Sequence, residues 1–209
     1  MKEVLHAPRR IEPLPPEHSP ELAAEFSSFL ATLGFVPNSV LIMQRKPELV
    51  RAFVAMQRAI WDPSTKVDRG FKRIIAHVAS RAAGDPYSMA HTASGALHFG
   101  IDAQKLAAAA HYRASPFYSA AEKAALDVAT AANTTGVSDA EFDELRRRWS
   151  DDEIVEITAA IAMAGFLSRW NGIMATPLED EPKTVAEEHL RPLGWSAGPH
   201  GPAPQHVHR

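Results

Sequence analysis

Helical periodicity runs through almost the whole sequence, and its longest helical segment sets the tightest limit on the fold. That segment extends from about Asp151 to Met174, and after its first two residues it carries charge at Glu153, Glu156 and Arg169. Because its centre is apolar on every side, we expect a buried helix, packed in the core or against another subunit. The two-residue alternation typical of strands is absent from the sequence, so the predicted fold is all-α.

Seven further helices are predicted from apolar residues repeating at three and four positions and from their end signals. Several of these ends have specific caps: Ser19 and Gly34 bound the first helix, and Asp102 begins the fifth. Ser–Glu pairs with capping-box spacing begin the sixth and seventh. The predicted segments are SPELAAEFSSFLATLG, KPELVRAFVAMQRAIW, 68–82, 86–99, DAQKLAAAAHY, SAAEKAALDVATAAN and SDAEFDELRRRW.

The two ends of the chain differ in composition from the helical part. Residues 1–18 are rich in proline, which predicts an extended arm that is laid on the body or left free. Residues 195–209 are rich in Gly, Pro and His, which predicts a flexible tail. Its His200, His206 and His208 are expected to be solvated, with adventitious metal binding as the alternative. One helical domain, 19–194, lies between them.

Composition excludes several classes of function. The chain has no cysteine, which rules out disulfides, thiolate catalysis and cysteine metal sites. Its net charge is −3 and it lacks a basic stripe, so no nucleic-acid partner is expected. No apolar run is long enough to span a bilayer and no signal-peptide core is found, so no membrane association is expected and the predicted location is the cytoplasm.

The stretch GDPYSMAHTASGALHFG, residues 84–100, concentrates reactive side chains at a helix start. Asp85 fits the N-cap and Pro86 the first helical turn, so Asp85 is explained as a cap even without a role in chemistry. Asp85, Ser88 and His91 follow one another at three-residue steps on one stripe. Their order does not suit a hydrolase triad, because the histidine must lie between the carboxylate and the nucleophile.

Two interpretations of His91 remain open on the residues alone. An imidazole that titrates near neutral pH suits general acid–base catalysis, with Tyr87 as a hydrogen-bonding neighbour and Arg73 as a bidentate ligand for a carboxylate. The alternative is a structural histidine in the core. A metal shared by His77 and His91 across two helices is a weaker alternative, and no metal is predicted.

Three segments together resemble the carboxymuconolactone decarboxylase and alkylhydroperoxidase (AhpD-like) family, in its peroxidase-related branch. They are LGFVPNSVLIMQRKPELVRAFVAMQRAI, GFKRIIAHVASRAAGDPYSMAHTASGALHFGI and EIVEITAAIAMAGFLSRWNGIMATPLE. The resemblance covers about residues 19–194. It implies an all-α bundle built on a core helical hairpin, and it implies assembly as a dimer, trimer or hexamer.

The same resemblance places the family's two redox cysteines at Asp85 and Ser88 and retains the family histidine as His91. The family's relay glutamate falls at Arg73 or at His77, depending on the register. Since a carboxylate and a hydroxyl cannot form a thiol–disulfide couple, dithiol peroxidase activity is excluded.

The sequence therefore predicts a cofactor-free enzyme that acts by acid–base chemistry on a small organic acid. Decarboxylation, as in a lyase, isomerisation and lactone hydrolysis all fit this description. The predicted catalytic residues are His91, His77, Ser88 and Tyr87, and the predicted substrate-binding residues are Arg73 and Asp85. The alternative is a family member that has lost catalysis and acts as an oligomeric binding or scaffold protein.

Overall fold

The computed structural model describes residues 10–201, and this part of the chain is all-α, as predicted. Ten α-helices and five short 3₁₀ helices connect without any strand in the described residues. The α-helices are α1 Ala23–Leu33, α2 Asn38–Met43, α3 Pro47–Ile60, α4 Arg69–Ala82, α5 Pro86–His98, α6 Ala103–Ala108, α7 Ala120–Ala131, α8 Asp139–Arg146, α9 Asp151–Met174 and α10 Asp180–His189. The 3₁₀ helices are Pro16–His18, Pro20–Leu22, Ala109–Ala114, Arg191–Leu193 and Gly198–His200.

The capping signals in the sequence explain most helix starts. Complete capping boxes begin α7 at Ser119, α8 at Ser138 and α9 at Ser150. The sequence reasoning identified the first two boxes, and the third has the same Ser-x-x-Glu pattern. The short α2 and the charged α10 were not predicted, because α2 is less than two turns long and α10 carries few apolar residues to mark a face.

Helix α4 lies at the centre of the fold and packs against α5, α7 and α9. Its Ile74 and Ile75 are completely buried, together with Leu126 of α7 and Ile157 of α9. The start of α4 approaches the end of α5 closely: a Cβ at Gly70 would lie 2.9 Å from Ile101 Cγ1. This contact fixes the two helices that carry most of the site described below.

A second apolar cluster is formed by α1, α2 and α3 together with one residue of α9. Phe26, Val40 and Phe53 are buried there, and Met163 of α9 joins them. A cleft of about 760 Å³ lies between this layer and the helices α4, α5 and α9. A volume of this size suits a small-molecule ligand.

A buried lysine ties the loop after α3 to the central helix. Lys72 is completely buried, and its Nζ donates to the carbonyl of Ile60 at 2.7 Å and to Thr65 Oγ1 at 2.8 Å. Burial lowers the pKa of this ammonium, against the opposing effect of Glu156, whose Oε2 lies 3.7 Å away. The loop that Lys72 holds begins at Trp61, which lines the cleft.

The described part of the N-terminal arm, residues 10–18, lies on the body of the protein. Leu14 exchanges hydrogen bonds with the turn after α2: its N–H donates to the carbonyl of Leu41 at 3.3 Å, and its carbonyl accepts from Gln44 Nε2 at 2.8 Å. Arg10 Nη1 donates to the carbonyl of Ile173 at 2.6 Å. Of the two forms predicted for the arm, these residues adopt the one laid on the body, and residues 1–9 lie outside the described part.

The flexible tail predicted from residue 195 does not describe residues 195–201, which are folded against the body. Trp195 is buried and its indole N–H donates to the carbonyl of Pro86 at 3.0 Å. His200, expected to be solvated, is 2% exposed and shares a hydrogen bond of 2.8 Å with the carbonyl of Thr176. The composition of this segment did not predict its packing, because the contacts described here come from a single indole and a single imidazole. Residues 202–209, with His206 and His208, lie outside the described part.

Helix α9 is buried on one face only. Ile157 and Ala160 are completely buried, but Val155 and Ile173 on another face are 67% and 63% exposed. Of the two forms expected for this helix, complete burial in the core does not describe the single chain, and packing against another subunit stays a prediction. In the described residues, no helix is long and apolar enough to cross a membrane.

Candidate active site

The first turns of α5 bring three of the predicted site residues to the cleft. Asp85 caps the helix, and its Oδ1 accepts from the backbone N–H of Tyr87 at 3.1 Å. Pro86 occupies the first helical position, where no backbone donor is lost. Residues at three- and four-residue steps from this start share a face, and Tyr87, Ser88 and His91 line the cleft.

His91 is paired with a carboxylate that lies far away in the sequence. Its Nε2 is 2.7 Å from Oε2 of Glu179, and 88 positions separate the two residues. The side chain of His91 is 20% exposed, whereas that of Glu179 is 12% exposed. His91 lines the cleft, whereas Glu179 is not part of the cleft wall and contacts the imidazole of His91.

Three donors converge on the carboxylate of Glu179. Oε2 accepts from His91, and Oε1 accepts from the Tyr87 hydroxyl at 2.9 Å and from the backbone N–H of Asn38. Burial by itself raises the pKa of the Glu179 carboxyl, but His91 and the Asn38 N–H more than offset it, so the pKa lies below its ordinary value. Glu179 is therefore ionised at neutral pH.

The chain reaches Glu179 through a tight turn after α9. Ala175 ends that helix with φ 48° and ψ 47°, the left-handed conformation that is uncommon for a residue other than glycine. The following residues are held on both sides: Asn38 Nδ2 donates to the carbonyl of Pro177 at 2.9 Å, and the N–H of Leu178 donates to the carbonyl of His200 at 2.9 Å. The folded C-terminal segment thus helps to position Glu179.

This arrangement fixes the protonation pattern of His91. Because an ionised carboxylate can only accept, the proton shared with Glu179 belongs to His91 Nε2. In the neutral ring the lone pair is then on Nδ1, and the described residues offer this nitrogen no hydrogen bond. A carboxylate placed in this way orients the imidazole, as it does in other His–carboxylate pairs.

Tyr87 supports the same pair from the side. Its ring stacks on His91 with centroids 4.5 Å apart, and Phe35 contacts the imidazole at 5.9 Å. Burial, together with the charge of Glu179, raises the pKa of the Tyr87 phenol well above its ordinary value. The hydroxyl is therefore a donor to Glu179, and the stacked ring limits rotation of His91.

Ser88 and Asp85 are less available for chemistry than their sequence positions suggest. Ser88 is 3% exposed, and its Oγ accepts a long hydrogen bond of 3.5 Å from Asn171. His91 uses Nε2 on Glu179, and in the described residues no hydrogen bond joins it to Ser88. Asp85 is 4% exposed, lies 3.8 Å from His200 Nε2 through Oδ1, and is not part of the cleft wall.

Arg73 lies on the cleft wall, one helix away from His91. Its guanidinium stacks over the ring of Trp61 at 3.8 Å. Burial, and next the nearby charge of Arg69, lower the pKa of Arg73 to about 10. Arg73 therefore remains a cation at neutral pH.

His77 faces a different cavity and does not meet His91. It lines a space of about 360 Å³ together with Arg81, Met89 and Trp195. Its Nδ1 is 3.1 Å from the carbonyl of Met89 and 3.2 Å from Thr92 Oγ1. Burial lowers the pKa of His77 to about 4, so the ring is neutral at pH 7. The packing of α4 against α5 directs His77 and His91 to different cavities.

The described residues hold no group of three or more His, Cys, Asp or Glu side chains arranged for a metal ion.

Among the predicted site residues, the structure brings Tyr87, Ser88, His91 and Arg73 to one cleft and leaves Asp85 and His77 outside it.

Sequence reasoning missed Glu179, the partner of His91. No spacing rule connects the two residues, since they meet through the turn after α9. The one signal in the sequence is a glutamate between two prolines, in TPLEDEP, where a fixed loop carries an acid next to a helix start.

Comparison with known proteins identifies the family of the chain. A cysteine-to-alanine variant of the debrominase Bmp8, in complex with 2,3,4-tribromopyrrole, is 34% identical, with a TM-score of 0.80 over 89% of this chain and 99% of the other. The family model of the carboxymuconolactone decarboxylase family matches residues 47–131, which extend from the start of α3 to the end of α7. The chain belongs to the carboxymuconolactone decarboxylase family.

More distant structures share the fold of this decarboxylase family. An uncharacterised peroxidase-related protein from Ralstonia eutropha JMP134, described as an alkylhydroperoxidase AhpD core, is 21% identical with a TM-score of 0.72, over 85% of this chain and 95% of that one. None of the curated proteins compared with the chain matches it. The resemblance seen in the sequence is thus confirmed, for a family member without cysteine.

Proposed function

We propose that the protein is a cofactor-free enzyme in which His91 moves a proton on a small organic acid bound in the main cleft. The observation that carries this proposal is the 2.7 Å pair of His91 Nε2 and Glu179 Oε2, with His91 on the cleft wall. A buried carboxylate that orients an imidazole is the arrangement by which a histidine acts as a general base and then as a general acid.

The proton step balances within the site. His91 Nδ1 removes a proton from a carbon next to an electron-withdrawing group of the substrate, and the imidazolium that results is stabilised by Glu179. The same nitrogen then returns the proton to the substrate at another atom, which completes an isomerisation. In a decarboxylation no proton is removed first: the carboxylate leaves as CO₂, its bonding electrons stay on the carbon, and the imidazolium, protonated beforehand from solvent, delivers one proton to that carbon. General acid–base catalysis of this kind contributes about 10²–10⁴-fold to a rate.

The rest of the cleft supports a carboxylated organic substrate. Arg73 offers a planar guanidinium, which fits a carboxylate through two parallel hydrogen bonds. The apolar part of the wall includes Val40, Phe53 and Met163. We assign substrate binding to Arg73 and not to Asp85, which caps α5 behind the wall.

The alternative of a scaffold protein without catalysis predicts a filled cleft, whereas a binding protein without catalysis would keep the cleft open. In a scaffold protein Met89 and Phe99 would occupy the space next to His91. In this chain Met89 faces the second cavity and the main cleft is open. These observations support the enzyme over the scaffold. Self-association as a dimer, trimer or hexamer accompanies either proposal.

The test follows proton transfer directly. 4-Acetylbenzoate carries a methyl ketone at the end opposite its carboxylate and exchanges the methyl protons slowly in D₂O. The metal-free wild-type protein is expected to accelerate this exchange, measured by ¹H NMR. His91→Ala should lower the accelerated rate by about 10²–10⁴-fold. His98→Ala, a second histidine on the cleft wall, is the matched control and should keep the wild-type rate.

Binding and melting temperature are measured on the same proteins. A wild-type protein that binds 4-acetylbenzoate without accelerating exchange overturns the proposal and favours the binding role. A His91→Ala variant that melts much earlier and yet keeps its exchange rate makes His91 a structural residue.

A further inference from the structure

Two arginines lie side by side on the cleft wall, and neither forms an ion pair with a carboxylate in the described residues. Arg69 and Arg73 are one turn apart on α4, and both guanidinium groups face the ring of Phe99, at 4.2 Å and 5.7 Å from its centroid. Like charges at this spacing repel each other. Asp62 and Glu181 also line the cleft, but the hydrogen bonds to these two carboxylates come from Ser64 and Ser94. The bonds from Ser64 lower the pKa of Asp62 most, and the charge of Arg69 contributes in the same direction. Within residues 10–201, neither arginine has a carboxylate within 4.0 Å.

Three donors at this place are buried and have no hydrogen-bond partner. They are Arg69 Nε, Arg73 Nε and the indole Nε1 of Trp61, on whose ring Arg73 is stacked. Buried donors without a partner cost free energy, and a buried cation without a counter-charge costs more. An anion between the arginines would remove both costs. The flat surfaces of Trp61 and Phe99 beside the guanidinium groups favour a planar ligand.

The anion site lies at some distance from His91. Gly95 leaves room for Arg73, because a Cβ at this position would lie 3.2 Å from Arg73 Cδ. Gly95 follows His91 by one turn of α5, and Phe99, next to Arg69, follows it by two. With a rise of about 1.5 Å per residue, a ligand between the arginines and His91 spans roughly 6–12 Å.

We propose that Arg69, Arg73 and Trp61 form a remote anchor for the carboxylate of an elongated aromatic acid, whose opposite end reacts at His91. The anchored carboxylate then holds the substrate in place and is not the group that is lost as CO₂. Two guanidinium groups stabilise the charged carboxylate before the reaction, which opposes its conversion into neutral CO₂. The part of this inference that concerns the reacting end rests on the proposed function, whereas the anchor itself does not.

Binding of a defined probe tests the anchor on the full chain. trans-Cinnamate has a planar ring about the required distance from its carboxylate, and cinnamamide is its uncharged counterpart. Isothermal titration calorimetry in low-salt buffer at pH 7 should show cinnamate bound at least tenfold more tightly than cinnamamide. Arg69→Gln and Arg73→Gln should each weaken cinnamate at least tenfold and leave cinnamamide unchanged.

Two matched variants locate the carboxylate. Arg58→Gln removes the same charge from an exposed position on the same cleft and should change cinnamate affinity less than twofold. His91→Ala should change it less than threefold, because the anchor lies away from His91. Thermal melting of each variant confirms that it is folded.

Each contrary result has one meaning. If the wild-type protein binds cinnamate no more tightly than cinnamamide, or if Arg58→Gln weakens cinnamate as much as Arg73→Gln, no specific anchor exists. If His91→Ala weakens it as much as Arg73→Gln, the carboxylate lies at His91 and the remote position is wrong. If the anchor variants behave as expected but His91→Ala keeps its proton-exchange rate, the proposed function fails and the anchor remains.

Discussion

His91 and Glu179 form a 2.7 Å pair between the first turns of α5 and the loop that precedes α10. The first prediction replaces the carboxylate. Glu179→Gln should lower the rate of proton exchange by about 10²–10⁴-fold with little change in substrate affinity, because the amide cannot stabilise an imidazolium as a carboxylate does. Glu181→Gln on the cleft wall is the matched control. A Glu179→Gln variant that retains its rate would show that His91 works without this partner.

The second prediction concerns the folded C-terminal segment. His200→Ala removes the bond to the carbonyl of Thr176 and should lower the free energy of unfolding by about 1–3 kcal/mol. It should also slow turnover, because the segment 176–179 that presents Glu179 loses a support. Urea unfolding and the exchange assay measure the two effects. His189→Ala, a half-buried histidine on α10, should alter neither. An unchanged stability in His200→Ala would contradict the packing of this segment.

The third prediction is a loss of stability in acid that comes from His77. Its pKa is lowered to about 4 in the folded protein from an ordinary 6.5, so between these values the unfolded chain binds more protons. The free energy of unfolding therefore rises with pH in this window, and full protonation below it costs about 3 kcal/mol. The lowered pKa values of His200 and Glu179 act in the same direction.

Urea unfolding at pH 7, 5.5 and 4.5 measures this effect. His77→Gln keeps a donor for the Met89 carbonyl but cannot take up a proton, so its stability should depend less steeply on pH than that of the wild type. Equal slopes for the two proteins would place the acid sensitivity elsewhere.

The fourth prediction uses the close contact between Gly95 and Arg73. In Gly95→Ala the new Cβ would lie 3.2 Å from Arg73 Cδ and 3.3 Å from its Nε, so the arginine must move. We expect weaker binding of cinnamate with an almost unchanged melting temperature, since alanine also favours the helix by up to about 1 kcal/mol. Gly172→Ala, where the added Cβ meets nothing within 4 Å, should leave binding intact. Unaltered affinity in Gly95→Ala would argue against Arg73 as a ligand.

The fifth prediction is self-association. Val155 and Ile173 on α9 are mostly exposed in the single chain, and Leu30 of α1 is 52% exposed. Exposed apolar side chains of this size are found at contacts between subunits. Sedimentation at micromolar concentration should give a dimer, trimer or hexamer. Val155→Glu should shift the distribution toward smaller species, and a stable wild-type monomer would contradict the prediction.

The sequence by itself determined the features that depend on neighbouring residues or on composition. Capping pairs such as Ser119 with Glu122 begin their helices where predicted, because a cap needs a side chain and a backbone donor only three residues apart. The start of α5 at Asp85 and Pro86 follows from the same local chemistry. The lack of cysteine excluded dithiol chemistry without any structure.

Tertiary structure decided which of these side chains meet. His77 and His91 were both plausible catalytic residues, but the packing of α4 against α5 directs them to different cavities. Glu179 reaches His91, and His200 becomes buried, through contacts between segments distant in the chain. Local rules of spacing cannot foresee such contacts, because they depend on how whole helices pack and on the loops that this packing brings together.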